Sequence, residues 1–254
     1  MNVIQRTFDV LTQMPPLQQI TYELSLRELD HHLQTDQNLG QVLETVAPSL
    51  WECENIDRYE GYGVYRDMHA MQDYGEFKEL LQISDSQNPD RIIEIGTGYG
   101  GSLYALAQLV SPECIVSIDK DQQGYFDRRH GFPNAKVPLF DRIGEYNDTE
   151  MVHIRADSQK SSTRKIVQRN LPCGMADFLL IDADHTYEGV KRDWELYSSI
   201  VDDGGMIVIH DINTGDFREE WGVEEFWKER IKPTHTTEEI VLRDTGFGTG
   251  IVYL

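Results

Sequence analysis

The sequence predicts an α/β fold: a mostly parallel sheet covered by helices on both faces, ended by an antiparallel hairpin and preceded by a helical N-terminal extension. Three observations predict it. From Arg91 onward, short β-branched runs alternate with helical segments. The stretch RIIEIGTGYGGSLYALAQL, Arg91 to Leu109, reads strand, glycine turn, apolar helix, the build of a nucleotide-binding crossover. Two short apolar runs near the C-terminus flank RDTGFG, a turn sequence suited to an antiparallel hairpin.

Taken in order, residues 1–75 precede the first core strand and read as a helical cap or lid, with the main domain over 76–254. Leu17, Ile20, Leu24, Leu29 and Leu33 recur at helical spacing. Gln41 to Ala47 predicts a shorter helix, stopped at Pro48. The segment NIDRYEGYGVYRDMHAM, with Tyr59, Tyr62 and Tyr65, reads as cap packing or as a substrate lid or dimer contact. Asp73 to Ile83 predicts a helix with Asp73 as its N-cap and Phe77, Leu80 and Leu81 facing inward. Strands are expected over Arg91–Ile95, Cys114–Ile118, Met151–Arg155, Asp177–Asp182 and Met206–His210, then Glu239–Leu242 and Thr249–Tyr253 as the hairpin. Between Lys120 and Glu150, Gly124, Gly131, Gly144, Pro133 and Pro138 break any helical period. An irregular loop, acting as a lid, is expected where a crossover helix would ordinarily sit.

The formal net charge is −21, with the acid excess spread along the chain. Such a surface repels phosphate backbones and anionic headgroups, so neither nucleic acid nor a membrane surface is the expected partner. Cys53, Cys114 and Cys173 are far apart and form no C-x-x-C, which supports neither a disulfide framework nor a thiolate metal site. With no leader-like or spanning-length apolar segment, a reducing, cytoplasmic setting is expected. A homo-oligomer built through the N-terminal segment is a further expectation.

Gly96, Gly98, Gly100 and Gly101 crowd the turn after the first strand. They let the backbone approach a ligand while the helix that follows offers free N–H donors. Asp119 ends the next apolar run at the spacing where a carboxylate grips ribose hydroxyls. Glu94, two places before Gly96, disfavours a pyrophosphate and favours S-adenosylmethionine (SAM), whose ammonium and sulfonium are cationic. The competing reading pairs Glu94 with Arg91 or a neighbouring N–H. Asp157 and Ser158, ending the third strand, are candidates for the adenine amino group, or for the N-cap of a helix over Gln159 to Asn170.

A second constellation lies further on. Asp182, Asp184 and His185 close the fourth strand in IDADHTYEG, and His210 and Asp211 close the fifth in IVIHDIN. Ligands of open α/β sheets bind outside the carboxyl ends of strands. With the fourth strand beside the first, Asp182, His210 and Asp211 would converge next to the glycine turn. That is the make-up of an open divalent-metal site. A cation there would lower the pKa of a substrate hydroxyl and align it with the sulfonium methyl. His185 could take the proton, its unperturbed pKa of about 6.5 suiting neutral pH. The plainer alternative has Asp184 or Thr186 capping the next helix and His210 satisfied at a strand end.

The segments EIGTGYGG, IVSIDKD, LLIDADHTYEGVKRDWELY, DDGGMIVIHDI and GVEEFWKER resemble class I SAM-dependent methyltransferases. They are most similar to the branch of the cephamycin-biosynthesis enzyme and the metal-dependent sugar O-methyltransferases of macrolide pathways, over roughly Met71 to Leu254. The resemblance implies a Rossmann-like seven-stranded sheet with SAM at the Gly96 turn, Asp182, His210 and Asp211 as metal positions, and His185 as general base. His210 departs from relatives that carry an acidic residue there. An imidazole beside two carboxylates admits Mn²⁺ or Fe²⁺ as well as Mg²⁺. The expected activity is methyl transfer from SAM to a hydroxyl of a small molecule, a sugar or secondary metabolite, through Glu94, Gly96, Gly98, Asp119 and Asp157. A rival reading is an NAD-dependent oxidoreductase using Tyr187 and Lys191. Another is a methyltransferase-like partner without turnover.

Overall fold

The computed structural model describes residues 16–46, 68, 70, 72–120, 137–213, 221–242 and 247–254, without the side chains of 16–22. Seven strands form one sheet: β1 Arg91–Ile95, β2 Cys114–Asp119, β3 Glu150–Arg155, β4 Ala176–Ile181, β5 Val201–His210, β6 Thr236–Ile240 and β7 Thr249–Tyr253. The spatial order is β3-β2-β1-β4-β5-β7-β6. The first five strands pair in parallel, and β7 runs antiparallel to both β5 and β6. The central strands are near-continuous β-branched runs because both of their faces are covered. Ile92, Ile115, Phe178, Leu180 and Val208 enter one apolar cluster, and Ile93, Val116, Leu179, Ile207 and Ile209 enter another.

The first cluster lies under helices α1 Pro16–Thr35, α2 Leu39–Val46, α3 Tyr74–Gln87, α4 Gly101–Val110 and α5 Val137–Asn147. The second lies under α6 Ser161–Asn170, α7 Tyr187–Tyr197 and α8 Val223–Phe226, which runs on as a π-helical turn through Ile231. At the amino ends of the strands Arg91 binds Asp177 at 2.5 Å and Asp202 at 2.7 Å, tying β1, β4 and β5 together.

The first helices fall near their expected places, with a shift of phase in α1. Leu29 and Leu33 are buried, but Leu24 is exposed and Leu26 takes the inward position. Buried Leu26, Leu29, Leu33, Val42 and Leu43 share the cluster that contains Leu103 and Phe178 of α4 and β4. Between these helices Asp36 accepts from the hydroxyl of Tyr104 at 2.8 Å, and Gln108 donates to the carbonyls of Leu33 and Asp36. The tyrosines 59, 62 and 65 lie outside the described residues.

Two expectations need correction. A crossover helix does occupy part of the interval before β3, over Val137–Asn147. Pro138 sits in its first turn, where a proline N–H is not needed. Gly144 is a packing glycine, since a Cβ there would stand 2.7 Å from the carbonyl oxygen of Thr149. Residues 121–136 of the interval lie outside the described residues. β6 also starts earlier and ends at Ile240, leaving Val241 and Leu242 exposed beyond it. As an edge strand it buries only one residue fully, so its polar start gives no apolar signal.

Candidate active site at the carboxyl rim of the sheet

β1 ends at Ile95 and the chain turns through Gly96, Gly98 and Gly100, all at positive φ. At Gly96 the reason is concrete. A Cβ would lie 1.7 Å from the carbonyl oxygen of Asp182, so only glycine lets the turn back onto the end of β4. The amide of Asp182 in turn donates to the carbonyl of Ile95 at 2.8 Å. The glycine turn and the start of the acidic constellation are therefore in direct main-chain contact.

Asp119, at the end of β2, accepts from the amide of Gly98 at 2.9 Å and braces the turn. Glu94 is fully buried and accepts from the hydroxyl of Ser102 on α4. Arg91 is engaged with Asp177 and Asp202 at the other end of the strands. Asp157 accepts from the amide of Gln159 at 3.1 Å and meets Lys120 at 3.3 Å and Lys160 at 3.6 Å. Burial works against its charge, but the amide bond and the two lysines hold its carboxyl below the usual range. It braces the turn before α6 without capping it. The helix starts at Ser161 with Lys160 in the cap position and no side-chain cap bond. Ser158 is buried, and its carbonyl accepts from the hydroxyl of Tyr197 at 2.9 Å.

At the neighbouring strand ends the structure gathers Asp182, His185, His210 and Asp211. His185 Nε2 lies 2.7 Å from Asp211 Oδ2 and 3.6 Å from Asp182 Oδ1. His210 Nδ1 lies 3.6 Å from Asp182 Oδ1 and 3.3 Å from Asp211 Oδ1. Burial favours the neutral form of every member, yet the opposite charges prevail. Asp182 and Asp211 are held below the usual carboxylate range by the two histidines. His210 is raised well above its ordinary value, and His185 is raised to about 9 by bonds and charge from both carboxylates.

Asp211 adopts φ +64, a left-handed conformation that costs about 1 kcal/mol or more for a residue with a Cβ. Its Oδ1 and both ring nitrogens of His210 are buried and make no well-aligned hydrogen bond among the described residues, although Oδ1 and Nδ1 face each other at 3.3 Å. Ligating atoms of Asp182, His185 and Asp211 lie within 4.8 Å of one another. The two carboxylates suit a divalent cation of the Mg²⁺, Mn²⁺ or Fe²⁺ kind, with His185 Nε2 facing Asp211 Oδ2 beside them. The three-atom group includes His185, which the sequence suggested only as a base. His210, suggested as a ligand, packs beside both carboxylates with its side chain almost wholly buried.

The surrounding residues have separate duties. Asp184 accepts from Thr186 and from Gln159, and Thr186 caps α7 by accepting from the amide of Gly189. Lys191 is bonded to Glu188 and lies 6.0 Å from the Tyr187 ring centroid, a helix-surface arrangement. Trp221 stacks on the His185 ring, centroids 4.1 Å apart at 14°. Gln72 donates to Asp182 Oδ2 at 3.4 Å. Neither Trp221 nor Gln72 was marked by the sequence. Both come from segments distant in the chain, with no motif around them.

A family described as a methyltransferase domain matches residues 93–212, which span the glycine turn and the whole acidic constellation. An uncharacterized protein of Acanthamoeba polyphaga mimivirus is 28% identical over 141 residues, 56% of this chain and 55% of that protein. The chain thus spans about half the length of that curated relative. Among solved structures, a candidate caffeoyl-CoA O-methyltransferase from Staphylococcus aureus is 18% identical. The alignment covers 72% of this chain and 85% of that one, at a TM-score of 0.52. An O-methyltransferase of Bacillus cereus, solved in complex with S-adenosylhomocysteine (SAH), is 19% identical over 72% and 84% of the two chains, at a TM-score of 0.50. At these identities the likeness is one of fold. Residues 93–212, just under half of the chain, match a methyltransferase-domain family, and the seven-stranded sheet has the Rossmann-like fold of the solved O-methyltransferases.

Proposed function

We propose that the chain transfers a methyl group from SAM to a hydroxyl of a small molecule, a sugar or secondary metabolite, with a divalent cation held at Asp182 and Asp211. The observation that carries this reading is the contact of Gly96 with the main chain of Asp182. The glycine turn and the acidic cluster thus lie on adjacent strand ends, which supports a reading in which a donor at the one and an acceptor at the other meet without further movement.

On this reading Glu94 and Asp119 present carboxylates to the cationic and ribose parts of SAM. Gly96 and Gly98 leave room for its backbone approach, and Asp157 and Ser158 flank the adenine. A cation between Asp182 and Asp211 supplies Lewis acidity towards the acceptor oxygen. His185 shares the two carboxylates and carries a proton when they face it alone. With that proton displaced, its Nε2 is placed to receive the proton of a hydroxyl held in the same cluster. Trp221 keeps the imidazole plane fixed, and His210 adds positive charge beside the carboxylates.

The test is SAH formation from SAM with a panel of hydroxylated sugars and phenols, with Mg²⁺ or Mn²⁺ and after chelation. Transfer that depends on added cation supports the reading. A rate unaffected by chelation overturns the role of the cation. Thermal stabilisation by NAD(H) and not by SAH overturns the choice of donor.

A further inference from the structure

Gln72 stands at the end of the segment that leads from the N-terminal helices into α3, and it is almost completely buried. Its neighbours fix it there. The amide of Ala70 donates to the carbonyl of Val46 at 2.6 Å. Asp73 caps α3, accepting from the amides of Gly75 at 2.9 Å and Glu76 at 3.1 Å. Glu76, buried in the first turn, accepts from the amides of Leu242 at 3.0 Å and Gly248 at 2.8 Å. The chain at Gln72 is therefore clamped on one side to α2 and on the other to the β6–β7 hairpin, whose end touches His210 through Phe247.

From this fixed point the Gln72 side-chain N–H reaches Asp182 Oδ2 at 3.4 Å, while Asp182 Oδ1 is the oxygen that faces His185 and His210. Each carboxylate oxygen thus has its own neighbours. Gln72 Oε1 is buried and has no hydrogen-bond partner among the described residues. A buried amide with one end unmet is destabilising, so packing alone does not account for a glutamine here.

We propose that Gln72 is a positioning residue: by holding Oδ2, it turns Oδ1 of Asp182 towards the cation shared with Asp211. The inference rests on the metal reading above. It also gives the segment before α3 a part in the site as well as in the core.

The test is Mn²⁺ titration of the full chain by calorimetry, with SAH titrated in parallel and melting followed for each variant. Gln72→Met keeps length and removes both polar ends; Mn²⁺ affinity is expected to fall about tenfold or more, the usual effect of losing a partner of a metal ligand. SAH affinity is expected to stay within about twofold, since the glycine turn is untouched. Gln72→Asn keeps the amide but withdraws it, and is expected to show the same selective loss should the Met variant fail to fold. Unchanged Mn²⁺ affinity in a folded variant overturns the inference. A parallel fall in SAH binding overturns it too, by making Gln72 a packing residue. Asp182→Asn separates the two claims. If the wild-type chain takes up no Mn²⁺, the metal reading fails and takes this inference with it. If Asp182→Asn abolishes uptake while Gln72→Met leaves it intact, only the role of Gln72 fails.

Discussion

His185 Nε2 lies 2.7 Å from Asp211 Oδ2, although the two residues follow different strands, and Asp211 meets it from a left-handed backbone. The pair is one edge of the Asp182, His185, Asp211 triangle, and on the proposed reading it holds a proton that a bound cation would displace.

Mn²⁺ binding is therefore expected to release close to one proton per site near pH 7.5, because His185 is raised to about 9 in the cation-free chain. Calorimetry in buffers of different ionisation enthalpy measures this. The sign for stability follows. The pairing stabilises the cation-free chain fully below about pH 6.5, and its share is lost as pH rises through about 9. The carboxylates are lowered, so their share is present above about pH 3.8 and is lost on acidification. Asp211→Asn is expected to bring the His185 titration, read by NMR, back towards about 6.5. Cation binding that releases no proton would show that His185 is not displaced.

Gly96→Ala is expected to destabilise the chain by about 3 kcal/mol or more, since its Cβ would overlap the Asp182 carbonyl at a positive-φ position. A variant that folds at all is expected to lose SAH and Mn²⁺ binding together, as the turn and Asp182 share that contact. Chemical denaturation and the two titrations read the outcome. An alanine variant with wild-type stability would show that the turn does not back onto β4.

Asp119→Ala removes the acceptor of the Gly98 amide bond. On the proposed reading the carboxylate also bonds the ribose hydroxyls; a lost hydrogen bond to a charged group is worth about 1.5–3 kcal/mol, so SAH affinity is expected to fall roughly ten- to hundredfold. Mn²⁺ affinity is expected to change little. Glu94→Gln, which keeps the side-chain shape and can still accept from Ser102, is expected to weaken SAM and SAH binding without unfolding the chain. Equal affinity in both variants would remove these carboxylates from the donor site.

Asp193 on α7 is buried, and neither of its oxygens has a hydrogen-bond partner among the described residues. Burial pushes its pKa up to about 6, the nearby Ser158 hydroxyl opposing the rise and Asp184 and Asp157 adding to it. A raised carboxyl costs stability above its unfolded pKa, and the cost grows as pH climbs from about 3.8 through about 6. Asp193→Asn is expected to raise the melting temperature at pH 8, by the equivalent of about 3 kcal/mol, and to have little effect at pH 4. A pH-independent change would contradict this.

Much of the frame was legible because buried parallel strands must be apolar along their whole length. Ile92, Ile93, Val116, Leu179 and Ile207 mark their strands without help from any neighbour. Asp73 announced its helix by cap chemistry. The misreading of the interval before β3 has its cause in Pro138 and Gly144, which look like breakers in one dimension while serving a first turn and a close contact in three. Leu24 and Leu26 differ by two positions, a shift that periodicity alone resolves poorly over one long helix. At the site, Asp182, His185, His210 and Asp211 could be grouped because strand order predicts which ends are adjacent. That same logic does not say which imidazole reaches the open side of the carboxylates. Gln72 and Trp221 arrive from segments whose path across the rim no spacing rule describes.

The most direct measurement is anomalous diffraction from crystals grown with Mn²⁺ and SAH. The account predicts a single strong peak within about 2.5 Å of carboxylate oxygens from both Asp182 and Asp211, with SAH lying along the Gly96 turn and its sulfur facing that peak. A peak elsewhere, no peak at saturating Mn²⁺, or SAH bound away from the turn would contradict it.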